Sequence, residues 1–322
     1  MADLIRDNLQ GYLDFRRSRG FTVDRDSSHI KSFASYLDEK KIKELSSVDA
    51  AFIMTYSEHR LKSILPLSMN CEFVVLNNFF QYLRQLKLCK ENPLHERIGF
   101  RSHDFCPYVF TDEEVDRILN SFSDAACRVH KIKSFYRLHS HYCAFFLIAM
   151  CGLRISEACK LRLEDVDLNG KTLFIHQTKF RKDRRIPVSS TVVDVIKNYL
   201  EVRKCYDGAQ PSEYLIVSCF GSRYRRKSLD IAFAKKMKEL GLYRDTYIRG
   251  NTIFGSPRPH SLRHAFAVRT IRRWKSQGLP IDQIADTLAT YMGHSQFTST
   301  QVYLKALSTE PGILILKPYH NG

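Results

Sequence analysis

The 322-residue sequence is poor in the features that mark membranes, metals and nucleotides. No run of about 18 apolar residues occurs, so no membrane-spanning helix is expected. The longest apolar block, Cys143 to Cys151, has the length of a buried helix. The opening Met-Ala-Asp lacks a basic and then apolar segment, so no export signal is expected and the chain reads as cytoplasmic. Nine cysteines are scattered without any Cys-x-x-Cys pair, which favours reduced thiols over disulfides. A closed zinc site needs clustered ligands, and no such cluster stands in the sequence, so no metal is expected. Gly-rich phosphate loops, internal repeats and low-complexity tracts are missing too, so no nucleotide cofactor is expected.

What the sequence does have is positive charge. Fifty lysines and arginines face 34 acidic residues, a net charge of +16. Residues 1–100 carry 15 basic and 13 acidic side chains, and residues 101–322 carry 35 and 21. The excess therefore lies in the C-terminal part, and concentrated positive charge favours a polyanion, usually nucleic acid. Hydrophobic content of 44% with 12% aromatics suits a folded protein, and the length suits two domains.

Residues 1–94 read as four short amphipathic helices in a bundle. Ile5, Leu9, Tyr12 and Leu13 share one face, as do Ile30, Phe33, Ala34 and Leu37. Ser47 and Ser68 are candidate caps for the third and fourth helices. Asn92-Pro93 is a stop, and residues 95–109 read as an exposed connector. Thr111-Asp112-Glu113-Glu114 is a capping box that starts a second domain, 110–322, with a tail over 304–322. That domain reads as mainly helical with one small antiparallel sheet. Helices are expected near 137–150, 154–161 and 229–240. A hairpin pairs Lys171–Gln177 with Arg185–Ser189, Leu215–Ser218 is a candidate third strand, and 243–259 reads as a loop.

Four boxes carry polar residues that could do chemistry. The first is Gly152-Leu153-Arg154-Ile155-Ser156-Glu157, with Arg154 and Glu157 one helical turn apart. The second is the hairpin turn, where Lys179, Arg181, Lys182, Arg184 and Arg185 crowd into seven residues that could track phosphates. The third is Pro257 to His264, where His260 and Arg263 fall one turn apart and His264 faces elsewhere. The fourth is Gly293-His294, a helix stop after Ile284, Ala285 and Leu288, followed nine residues on by Tyr303. Arg223, Arg225, Arg226 and Lys227 form another basic run. Taken singly, each has a structural explanation: a surface ion pair, a solvated turn, a capping histidine, a packed tyrosine.

Taken together, the order Arg154, Lys179, His260-x-x-Arg263, Gly293-His294 and Tyr303 resembles the tyrosine recombinase (phage integrase) family over about 108–305. The resemblance implies an N-terminal helical core-binding domain and a mixed α/β catalytic domain, closing on duplex DNA as a C-shaped clamp. It implies site-specific cutting and rejoining of DNA through a 3′-phosphotyrosyl bond and a four-way junction, without metal or ATP. On this pattern Tyr303 is the nucleophile, and Arg154 and Arg263 hold the scissile phosphate. His260 is the base, Lys179 the acid, His294 a phosphate donor, and Glu157 orients the site. The basic residues at 181–185 and 223–227 would face DNA. Four protomers would act on two sites in the bacterial cytoplasm, at the nucleoid, with the tail and its Ile313-Leu314-Ile315-Leu316 run docking on a neighbour or at home. The alternatives are a type IB topoisomerase and a catalytically silent DNA-binding regulator. One departure stands out: His294 lies 31 residues after Arg263, longer than the family pattern, with the extra length near 271–280.

Overall fold

A computed structural model describes residues 2–44, 47–94, 104–176, 183–205 and 211–293. The chain divides into two compact units, Met1–His103 and Asp104–Gly322.

The first unit holds four helices: α1 (Ala2–Ser18), α2 (Asp24–Glu39), α3 (Ala50–Leu61) and α4 (Pro66–Gln85). The expected apolar faces are the buried ones, with Ile30, Phe33, Leu37, Leu76, Phe79 and Phe80 fully shielded. Two helix starts differ from expectation. Asp49, not Ser47, caps α3, its Oδ1 accepting the Phe52 N–H at 2.8 Å. α4 begins before Ser68, at Pro66, whose missing N–H is no loss in a first turn.

In the second unit β1 (Asp104–Cys106) precedes α5 (Asp112–Cys127). The latter opens on the expected capping box: Thr111 Oγ1 accepts the Glu114 N–H (3.2 Å) and Glu114 Oε2 accepts the Thr111 N–H (3.0 Å). α6 (Ile132–Cys151) is the central helix, buried nearly all round through its last three turns. Then come α7 (Ile155–Lys160), β2 (Val166–Asp167), β3 (Thr172–Ile175), β4 (Arg184–Pro187), α8 (Ser190–Lys204) and α9 (Arg226–Glu239). β5 (Tyr247–Arg249), β6 (Thr252–Phe254), α10 (Pro259–Ser276) and α11 (Ile281–Met292) complete the described part.

The expected hairpin is β3–β4, with Ile175 opposite Arg184 as its last rung. Its third strand is β2 and not Leu215–Ser218. Leu215, Ile216 and Val217 are fully buried, but the stretch forms isolated β-bridges, at Tyr214 and Val217, and not a strand of the sheet. Residues 243–259 are more ordered than a loop. β5 and β6 form a hairpin that turns at Gly250 (φ 57°), with Tyr247 stacked on Phe254 at 4.9 Å, and β6 pairs in parallel with β1. A short second sheet thus includes residues 104–106 of the expected connector. The extra length near 271–280 lengthens α10 through Ser276 and is closed by a turn at Gly278 (φ 81°). Trp274 and Leu279 pack on the core there.

Gly152 ends α6 in the left-handed region (φ 60°), and a Cβ there would stand 2.4 Å from the Phe266 ring. Both the conformation and the contact demand glycine. Gly152→Ala is expected to lower stability by about 2–4 kcal/mol, read as an earlier urea midpoint with an unchanged slope.

Candidate active site

The Gly152 turn releases α6 and starts α7 only three residues later, which sets Arg154 at the helix entrance. Arg154 is extended (φ −70°, ψ 147°), so it meets Glu157 as a cap and not as a neighbour on a helix face. Its own N–H donates to Glu157 Oε2 (2.9 Å), and its Nη1 donates to Glu157 Oε1 (2.6 Å). Its Nη2 reaches the Gly293 carbonyl (2.8 Å) at the far end of α11.

Glu157 is the centre of this cluster. Its side chain is only 5% exposed, and three arginines surround it. Arg184 grips it bidentately, Nη1 to Oε1 at 3.1 Å and Nη2 to Oε2 at 2.9 Å. Arg263 Nη1 lies 3.8 Å from Oε2. Burial works to raise the Glu157 carboxyl, but the hydrogen bonds and charge of Arg184, the Arg154 backbone and the charge of Arg263 outweigh it and hold the group down at about 2. The carboxylate is therefore charged at neutral pH, and it offsets part of a concentrated positive field.

Arg263 is more enclosed than the sequence suggests. It is 1% exposed and donates to the carbonyls of Gly152 and of Met292, the latter at 2.7 Å. His260, one turn earlier on α10, stays exposed at the mouth of the cluster. Crowding at this position and the positive charges of Arg263, Arg154 and Arg226 push its imidazole well below the ordinary histidine range. The ring is neutral at pH 7 and can take a proton. His264 lies edge-on to His260, ring centres 4.6 Å apart, and does not face elsewhere.

The structure thus brings Arg154, Glu157, His260 and Arg263 together, as their order implied. Lys179, Arg181, Lys182, His294, Tyr303 and the tail lie outside the described residues. α11 ends at Gly293 (φ 65°), one residue before His294, as expected of a C-terminal glycine. Of the basic residues assigned to DNA, Arg185, Arg223, Arg225, Arg226 and Lys227 are exposed. Arg226 is paired with Asp230 (3.4 Å). Arg184 differs: its side chain is 10% exposed and it belongs to the buried cluster. The signal was in the strand's alternation, because period two puts Arg184 on the same side as buried Ile186 and leaves Arg185 outside. Two rival nucleophiles can be set aside. Burial pushes the Cys151 thiol up to about 12. Tyr291 donates its hydroxyl to the Pro187 carbonyl (3.1 Å), and burial raises its phenol above the ordinary range. Among the described residues no group of three or more His, Cys, Asp or Glu could hold a metal ion. No described helix is long and apolar enough to cross a membrane.

A family model described as "Phage integrase family" matches residues 109–310. The putative integrase/recombinase y4rB of Sinorhizobium fredii is 29% identical over 300 residues, covering 93% of this chain and 92% of that protein. A tyrosine recombinase of Pseudothermotoga lettingae is 27% identical, covering 98% and 99%. Among solved structures, XerH site-specific recombinase bound to difH substrate in a pre-cleavage complex superposes with a TM-score of 0.67. The two are 15% identical, and the match covers 96% of this chain and 84% of that one. A lambda integrase dimer bound to a COC′ core site gives 0.65 at 16% identity, covering 98% and 99%. These structural likenesses concern the fold.

Acid should weaken the fold through Glu157. A folded value near 2 against ~4.3 for a free glutamate means that the stabilisation is complete above about pH 4.3 and is lost as pH falls toward 2. The contribution is on the order of 3 kcal/mol. Glu157→Gln is expected to be less stable at pH 7 and to lose less between pH 5 and 3, measured by urea unfolding across that range.

Proposed function

This chain belongs to the phage integrase family, and from that premise we propose that it cuts and rejoins DNA at specific sites through Tyr303. The observation that carries the reading is the cluster of Arg154, Arg184 and Arg263 around one buried carboxylate, with a neutral histidine at its mouth and His294 next in chain after its Gly293 edge. Fixed cations of this kind stabilise charge that builds on a phosphate during in-line attack. Arg154, whose side chain is 22% exposed, meets the scissile phosphate, and Arg263 adds fixed charge from the core. His294 adds a hydrogen bond.

The Tyr303 oxygen attacks phosphorus and its proton passes to His260, whose depressed imidazole is unprotonated at neutral pH and so has a free ring nitrogen to accept it. The bond to the 5′ oxygen breaks, and Lys179 supplies that oxygen's proton. The product is a 3′-phosphotyrosyl link and a free 5′ hydroxyl. The link keeps the energy of the broken bond, so a second 5′ hydroxyl reverses the step and joins the strands. Guanidinium charge fills the role that a metal takes in other phosphoryl transfers.

Duplex DNA is the partner, met by the exposed Arg185, Arg223, Arg225 and Lys227 together with Arg181 and Lys182. The helices of residues 1–94 form a core-binding domain, and 110–322 the catalytic domain with its tail. Four copies act on two sites through a Holliday junction. A lambda integrase tetramer bound to a Holliday junction is similar in fold, with a TM-score of 0.64 at 17% identity. The tail docks on a neighbouring copy or on its own domain, and the work takes place at the nucleoid. The two full-length relatives named integrase/recombinase and tyrosine recombinase favour this reading over a topoisomerase or a silent regulator.

The test uses nicked duplexes tiled across the DNA that flanks the chain's own reading frame. Wild type is expected to trap a covalent protein–DNA adduct, and Tyr303→Phe none. An adduct that persists in Tyr303→Phe would remove the nucleophile assignment.

A further inference from the structure

Resting on the recombinase reading, we propose that Arg184 is a positioning residue for strand cleavage, acting through Glu157 and the Gly293 turn without touching DNA. Arg184 sits in a basic run, Arg181-Lys182-Asp183-Arg184-Arg185, in which every cation could pass for a phosphate contact. Its surroundings set it apart from Arg185. The Arg185 guanidinium is exposed and lies 5.8 Å over the Phe174 ring. The Arg184 guanidinium is turned inward, and each of its three nitrogens already has an acceptor. Nε donates to the Tyr291 carbonyl (2.8 Å), and Nη1 and Nη2 take the two oxygens of Glu157.

Those acceptors belong to two other elements. Glu157 is in the first turn of α7 beside Arg154, and Tyr291 is in the last turn of α11. Arg184 itself begins β4, five residues after Lys179 in the sequence. One planar fork therefore ties three elements, and each of them leads to a residue assigned to the reaction. The tie is tight at Gly293. A Cβ on that glycine would stand 2.8 Å from Arg184 Nη1, so the helix end can approach only because the residue has no side chain. Arg154 Nη2 grips the Gly293 carbonyl at 2.8 Å. The turn before His294 is thus held between two guanidiniums.

The charges facing Glu157 show what loss of Arg184 would do. Arg154 at the entrance of α7, Arg184 on β4 and Arg263 on α10 are the cations around it. Without Arg184, both carboxylate oxygens fall to Arg154, which must then serve Glu157 and not a phosphate. The α11 end loses its bond at Tyr291 as well. A lysine cannot replace the fork, because a single ammonium cannot span a carboxylate and a carbonyl in fixed directions.

The experiment compares wild type, Arg184→Gln, Arg184→Lys, Arg185→Gln and the double variant Glu157→Gln/Arg184→Gln. Two readouts are taken on the flanking-DNA duplexes: the salt dependence of binding, and single-turnover adduct formation at saturating protein on the nicked form. Arg184→Gln is expected to keep the wild-type salt slope and to lose cleavage by about tenfold to a hundredfold. Arg184→Lys should recover little, and the double variant should cleave faster than Arg184→Gln because no carboxylate is left to capture Arg154. Arg185→Gln should reduce the slope by about 1, the mark of a lost phosphate contact. The same slope change in Arg184→Gln, or unchanged cleavage at saturation, would overturn the proposal. If Arg184→Gln does not fold, Arg184→Lys decides, since wild-type cleavage with a single ammonium in place of the fork would overturn the positioning role. A wild type that forms no adduct on any duplex rejects the recombinase reading itself, whereas a wild-type adduct with unaffected Arg184→Gln rejects only the positioning role.

Discussion

A buried carboxylate facing three guanidiniums is the interaction on which the rest of the second unit depends. Glu157 has almost no contact with water, so its charge is tolerable only while Arg154, Arg184 and Arg263 stay close. The reverse holds as well. Three guanidiniums cannot be gathered in so small a space without a countercharge. The three arginines come from the entrance of α7, from β4 and from α10. Their remaining bonds run to carbonyls of Gly152, Tyr291, Met292 and Gly293. The cluster therefore fastens the ends of α6 and α11 at one point, and those ends become the frame of the site.

Glycine makes that convergence possible. Gly152 and Gly293 both stop helices in the left-handed conformation, and both have a large side chain where a Cβ would stand. Phe266 occupies the first position and Arg184 the second. The helix ends can thus lie against side chains of α10 and β4. Desolvation and the surplus of positive charge left after Glu157 together keep His260 unprotonated at neutral pH, which leaves a ring nitrogen free to accept a proton.

Much of this was legible in residue order. The apolar periodicity of α1, α2 and α4, the Thr111–Glu114 box, the β3–β4 hairpin and the stop at Gly293 are local features, and local chemistry writes them directly into sequence. The boxes around Arg154, His260 and Arg263 were found because their order is that of a known family. What escaped depends on three-dimensional neighbours. Arg184 looks like its basic neighbours until the alternation of β4 and the nearness of Glu157 are considered together. The β5–β6 hairpin was hidden because its strands are three residues long and gain a partner from β1, more than a hundred residues earlier. Arg263 was read one turn from His260 as a phosphate contact, and only the closeness of α6 and α11 explains its burial. The cap at Asp49 and the helix start at Pro66 were missed because serines nearby were good cap candidates by type.

The central claim is that this carboxylate-held cluster exists to stabilise negative charge on one phosphate. The most direct measurement compares Arg154→Ala with wild type on two nicked duplexes that differ only at the scissile linkage, an ordinary phosphodiester and a neutral methylphosphonate. With one charged oxygen removed, there is less charge for Arg154 to stabilise. The account predicts that Arg154→Ala slows adduct formation by about a hundredfold on the phosphodiester and far less on the methylphosphonate. An equal loss on both substrates would contradict it.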